Sequence, residues 1–206
     1  MTWSPDYISR DELAAFVRID DALDDAQIEL AITAASRAID QACHRQFGKA
    51  DLPVERYYTA ELDPATNRMA VQIDDLMVSA GLTVHADIDE DETYGAEVTS
   101  YTLRPRNAPA DGEPWTELVV GRGASVGFPA GADAVRVTAE FGWSAVPGAI
   151  REACALQASR LLSRRDAPFG VAGSPTAGSE MRLLAKIDPD VDVILRPYRR
   201  FRQGFA

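Results

Sequence analysis

Apolar residues follow two different periods in this chain, and the change between them divides it. Ile28, Ile32, Ala35, Ile39 and Ala42 fall at alternating steps of four and three, one stripe along a helix. Ile150, Cys154, Ala158 and Leu161 draw a second stripe, on a helix that opens at Pro147 and runs to Arg165. Neither helix can bury its stripe alone, so the two are expected to pack face to face. Ile28, Ile32, Ile39, Ile150, Cys154 and Leu161 form that expected core. Ser9-Arg10-Asp11-Glu12 has capping-box spacing and predicts a short helix through about Val17. Asp20, Asp21, Asp24 and Asp25 supply cap and turn residues before the Ile28 helix, and Gly48 after Phe47 is its expected stop.

From Pro53 the period shortens. Val54 to Thr59, Met69 to Ile73, Gly81 to Ala86, Ser100 to Leu103, Thr116 to Val120 and Ala134 to Phe141 read as short strands between Gly, Pro, Asn and Asp clusters. Val135, Val137 and Ala139 alternate with Arg136, Thr138 and Glu140, the pattern of a half-buried strand. The expected architecture is α+β: a helical bundle with an inserted small antiparallel β-sheet and an extended C-terminal arm. Residues 1–48 are assigned to N-terminal helices and 49–145 to the β-rich insertion. Residues 146–166 are the long core helix packing on 24–46, and 167–206 hold a loop, a short helix starting at Asp188-Pro189-Asp190 and a docking arm.

Charge changes this picture at one end. Of the net −11, residues 151–206 hold ten Lys/Arg against six Asp/Glu, so residues 1–150 carry −15. Phosphate neutralisation supplies most non-specific nucleic-acid affinity, so an acidic body argues against wrapping DNA or RNA. The basic end is also aromatic: Arg196, Arg199, Arg200 and Arg202 alternate with Tyr198, Phe201 and Phe205. Arg and Tyr are enriched in binding hot spots, and unpartnered aromatics invite aggregation, so this arm reads as an interface.

The remaining composition is that of an ordinary folded chain. Hydrophobic residues make up 46% of its 206 positions, which excludes wholesale disorder. No run of about 18 apolar residues predicts a membrane span. Met1 to Arg10 lacks a basic-then-apolar stretch, so no secretory signal is expected and the chain is expected in the cytoplasm. Cys43 and Cys154 have neither Cys-x-x-Cys nor Cys/His spacing and read as buried thiols of a reduced compartment.

Candidate chemistry fails on spacing. The acidic run Asp87 to Glu92 has Glu92 and Val98 where a calcium loop needs Gly and Glu, so it reads as a solvated hairpin tip. Gly121-Arg122-Gly123 followed by Gly127 is not a dinucleotide fingerprint, and Phe128-Pro129 stands where a helix should begin. Only His44 and His85 are available to a triad, and no Gly-x-Ser-x-Gly accompanies them. No catalytic residue, metal ligand or cofactor is assigned, and the chain is not expected to be an enzyme.

Three stretches carry a family likeness. Leu23 to Arg45 (LDDAQIELAITAASRAIDQACHR) has an aspartate-rich start and an Ala-Ala-Ser-Arg-Ala-Ile-Asp centre. Phe141 to Arg165 (FGWSAVPGAIREACALQASRLLSRR) joins a strand end, a Val-Pro turn and a long helix. Phe169 to Gly173, Asp188 to Val191 and Tyr198-Arg199-Arg200 complete the set. In this order they resemble the head–tail connector, or adaptor, proteins of tailed bacteriophages and gene-transfer particles, over roughly half of the chain. The resemblance implies a helical bundle of connector type in the virion neck, assembled from the host cytoplasm. It implies a ring, usually of twelve copies, beneath the portal protein. That ring extends the DNA channel toward a downstream neck or tail protein, with DNA passing through unbound and no membrane contact. It also implies that the arm of Arg196, Tyr198, Arg199, Arg200, Phe201, Arg202 and Phe205 engages the portal or a neighbouring subunit. The alternatives are another neck or tail protein, of head-closure or tail-terminator type, and a small ligand-binding or hydrolytic domain.

Overall fold

A computed structural model describes residues 4–18, 25–64, 66–165 and 188–200. It resolves into two compact units, one of Gly48–Ala145 and one that combines Ser4–Phe47 with the chain from Val146 onward.

The helical unit contains α1 (Arg10–Val17) and α2 (Asp25–Cys43) from the first stretch and α4 (Gly148–Arg165) and α5 (Pro189–Leu195) from the second. The predicted capping box starts α1. Ser9 Oγ accepts from the Glu12 amide at 3.3 Å, and the Glu12 carboxylate accepts from the Ser9 amide at 2.7 Å. Pro147 precedes α4, and its carbonyl accepts from the Ile150 and Arg151 amides. The end of α2 comes earlier than Gly48. His44 takes a left-handed conformation (φ 52°), and the Arg45 amide bonds back to the Asp40 carbonyl at 3.3 Å. This is the six-to-one bond of a Schellman stop, formed without glycine.

Helices α2 and α4 pack together through small side chains. Ile28, Ala31, Ile32, Ala35, Ser36, Ile39 and Cys43 of α2 are buried, as are Ile150, Ala153, Cys154, Ala155 and Ala158 of α4. Leu161 is half-buried. Ser36 Oγ lies in this seam at 3.4 Å from Cys154 Sγ and accepts from the Tyr7 amide at 3.1 Å, so its polar atom is satisfied. Arg151 pairs with Glu12 and ties α4 to α1.

The second unit holds the strands β1 (Val54–Tyr58), β2 (Ala60–Asp63), β3 (Arg68–Leu76), β4 (Thr83–Ala86), β5 (Ala96–Glu97), β6 (Tyr101–Arg104), β7 (Trp115–Val120) and β8 (Val135–Ala139). A one-turn helix, α3 (Ala108–Asp111), sits between β6 and β7. The strands form two antiparallel four-stranded sheets, ordered β1-β8-β4-β5 and β2-β3-β7-β6. Their inner faces meet in one apolar cluster, with Val71, Ile73 and Leu118 from one sheet and Val84, Val135 and Val137 from the other.

This overturns the helical-bundle expectation. The protein is α+β, but its strands build a two-sheet unit rather than a small sheet inserted in a bundle. The six expected strands are present with small shifts of boundary, and β2 and β5 are additional to them. Only Thr59 separates β1 from β2, and the run Val54 to Asp63 has no Gly, Pro or Asn to mark a break. The chain changes sheet at that residue, which turns one apparent strand into two.

Gly142 closes the β unit. Its φ is 118°, and a Cβ there would stand 2.1 Å from the Gly48 carbonyl oxygen and 2.6 Å from Lys49 Cα. Its amide donates to the Asp75 carbonyl at 2.6 Å, and the next amide, of Trp143, donates to the Gly48 carbonyl at 2.9 Å. The Asp75 carboxylate, buried beside a register shift in β3, accepts from Trp143 Nε1 at 2.8 Å. Gly142→Ala is expected to destabilise the β unit by at least about 2 kcal/mol, since neither backbone conformation nor space admits a side chain. Ile32→Asp should cost about 2–5 kcal/mol or more, a core truncation plus an unpaired buried charge. Chemical denaturation of each variant measures both.

Candidate functional site

The α5 helix begins on two local signals. Asp188 accepts from the Asp190 amide at 2.9 Å as N-cap, and Pro189 occupies the first helical turn. Arg160 of α4 pairs with the Asp188 carboxylate at 3.4 Å, and Gln157 accepts from the Asp188 amide at 3.3 Å. Val191 and Leu195 are fully buried. A short 3-10 turn, Arg196–Tyr198, continues from α5.

Residues 198–200 are anchored on the same unit rather than free. The Tyr198 ring stands edge-on to Phe47 (5.8 Å, 77°), and Phe47 in turn is edge-on to Tyr7 (5.7 Å, 81°). The Arg200 amide donates to the Cys43 carbonyl at 2.8 Å, satisfying one of the carbonyls left open at the end of α2. Arg199 pairs with Asp192. Arg196 differs: its side chain is 67% exposed, and its ion pair among the described residues, to Asp192, is long at 3.6 Å. Phe201, Arg202 and Phe205 lie outside the described residues.

The other anchor of this region is the first segment of the chain. Tyr7 donates its hydroxyl hydrogen to Asp40, and the same oxygen accepts from the Phe47 amide at 3.1 Å. Burial, then the Asp40 partner, pushes the Tyr7 phenol far above its ordinary range. Burial also raises the Asp40 carboxyl, against the opposing effect of Tyr7 and of Arg37 at 3.1 Å. The Arg37 guanidinium donates to the Ser4 and Pro5 carbonyls at 2.9 and 2.7 Å.

Little here is equipped for bond-making chemistry. Cys43 and Cys154 are both buried and free. Burial pushes the Cys43 thiol up to about 12 and raises Cys154 as well, away from the thiolate a nucleophile requires. Among the described residues no three His, Cys, Asp or Glu side chains are grouped to hold a metal ion. None of the described helices is long and apolar enough to cross a membrane.

The β unit carries a cleft of about 590 Å³, lined by Tyr57, Asp87, Glu90, Glu92, Tyr94 and residues 131–134. Asp87 is buried because its carboxylate is used locally, accepting from the Asp91 and Glu92 amides at 3.3 and 2.9 Å. The acidic run is thus an ordered tip built on Asp87. Sequence reading missed the cleft because residues 131–134 reach it from far along the chain.

No family model matches the sequence, and no curated protein does. Solved structures do match. A chain in the neck of an empty gene transfer agent (GTA) particle computed with C6 symmetry superposes with a TM-score of 0.55 at 18% identity, over 98% of this chain and 94% of that one. A chain in the virion of a native GTA particle gives 0.54 at 19% identity, with the same coverage. At such identities the likeness is one of fold, and it runs the length of the chain.

Two expectations follow from this geometry. Tyr198→Ala should lower stability by about 1–2 kcal/mol through loss of the Phe47 contact, measured by chemical denaturation. Thiol reagents at pH 8 should label neither cysteine in the native protein within minutes, and should label both at once in denaturant.

Proposed function

We propose that this chain is a structural subunit of the neck of a phage-like particle, acting as a head–tail adaptor. In this reading copies of the chain form a ring beneath the portal protein, extend the DNA channel and meet a downstream neck or tail protein. The observation that carries the proposal is the end-to-end fold likeness to a chain of a GTA particle neck. The C6 symmetry of that neck is commensurate with a ring of twelve.

The chain's own physics supports the role. A subunit of net −11 repels DNA, so a channel built from such subunits lets it pass without adhering. Buried, raised thiols suit a structural rather than a nucleophilic part. The subunit is made in the host cytoplasm and ends in the virion neck. The arm, Arg196 to Ala206, engages the portal or the neighbouring subunit through arginine forks and aromatic rings. One such contact is weak, and ring multiplicity supplies the strength.

The structure refines where to cut. Residues 198–200 brace α2, so a deletion from Arg196 would confound docking with folding. Deleting Phe201 to Ala206 should leave a folded subunit and yield DNA-filled heads that lack tails or leak DNA. Electron microscopy and a nuclease-protection assay read both outcomes. Normal tailed particles carrying the truncated chain would remove the arm from the mechanism, and a chain absent from purified particles would overturn the neck assignment.

A further inference from the structure

Two surfaces of this chain have matching chemistry. The first is the outer side of α5 and its continuation. Val191, Leu195, Tyr198 and Arg199 face inward or are paired, which leaves Val193 (59% exposed), Arg196 and Pro197 outward. From Arg196 to Ala206 the sequence contains four arginines and no acidic residue. The long Arg196–Asp192 pair is exposed, and such pairs contribute little, so Arg196 can exchange it for a better partner.

The second surface is the cleft of the β unit. Tyr57 and Tyr94 form one wall, their ring centroids 5.1 Å apart, with Tyr57 48% exposed. The carboxylates of Glu90, Glu92 and Asp133 take no hydrogen bond or ion pair among the described residues, and no Lys or Arg lines the cleft. The fold already seats one guanidinium in this neighbourhood: Arg136 lies 5.3 Å from the Tyr94 ring centroid and 3.7 Å from Glu55. An aromatic face beside a carboxylate is what a guanidinium favours.

We propose that the outer face of α5 and its continuation, Val193 with Arg196 and Pro197, docks into the Tyr57/Tyr94 cleft of a second copy of this chain. Charge selects that occupant. Residues 48–145 hold seventeen Asp/Glu against seven Lys/Arg, whereas the helical unit holds fifteen against fourteen. The negative charge is therefore concentrated on the unit that bears the cleft, and Arg196 is exposed on the other. A contact between two different patches of identical chains is heterologous, and heterologous contacts close into rings when their rotation allows. The inference rests on the ring reading above and names its subunit joint.

The test is a pair of cysteines, Arg196→Cys with Glu92→Cys, in the full chain. A short bismaleimide is applied both to the concentrated purified protein and to purified particles; the native thiols are buried. The double variant should give a ladder rising in steps of 22.4 kDa, whereas either single variant stops at a dimer. No ladder in either sample overturns the joint. A conjugate of the Arg196→Cys chain with portal protein in place of the ladder also overturns it, and assigns the arm to the portal. Presence of the chain in particles is scored separately, so failure of the joint and failure of the neck assignment are distinguished.

Discussion

The helical unit depends on closing two stretches of chain that are a hundred residues apart, and Phe47 is where they close. It is fully buried between two edge-on rings, Tyr7 from the start of the chain and Tyr198 from near its end. Each such pair contributes about 0.5–1.5 kcal/mol beyond area burial. The polar groups around it are satisfied in sequence: the Phe47 amide by Tyr7, the Tyr7 hydroxyl by Asp40, and the Cys43 carbonyl by Arg200. The early stop of α2 at His44 makes this arrangement possible. A helix continued to Gly48 would keep the Cys43 carbonyl for itself and leave no seat for the terminal segment.

Gly142 has the corresponding role in the β unit. With a side chain excluded, the Phe141-Gly142-Trp143 backbone approaches Gly48 and Lys49 closely enough to exchange hydrogen bonds. Trp143 then gives the buried Asp75 carboxylate a donor. The register shift in β3 beside Asp75 belongs to the same device, because it lies where a regular strand gives way to a residue needed for a long-range contact.

Local signals were legible and long-range ones were not. The α1 capping box, the Asp188-Pro189 start of α5 and six of the strands follow from short-range pattern, since each is decided within a few residues. The number of sheets is a pairing question. Edge strands such as β2 (Ala-Glu-Leu-Asp) bury one residue of four and carry little apolar signal, so the run from Val54 to Asp63 conceals a change of sheet. At the candidate site, residue type marked the Arg/Tyr/Phe segment but not its division into anchors and free groups. That division depends on the Cys43 carbonyl and Phe47, more than 150 residues away in sequence. The cleft was hidden for the same reason: its acidic half reads as a hairpin tip until residues 131–134 are set beside it.

Anchoring and exposure place opposite demands on a segment, and the distribution of contacts in residues 188–200 meets both. A segment held by its own fold presents a defined face, so less ordering entropy is lost when a partner binds. A segment fully consumed by its own fold presents nothing. Tyr198, Arg199 and the Arg200 backbone hold the segment in place, and Val193, Arg196 and Pro197 remain outward on the rigid turn they define. The exposed ion pair of Arg196 is weak enough to be surrendered, while the buried side of α5 is not. The anchoring groups and the outward ones are thereby separated within a dozen residues.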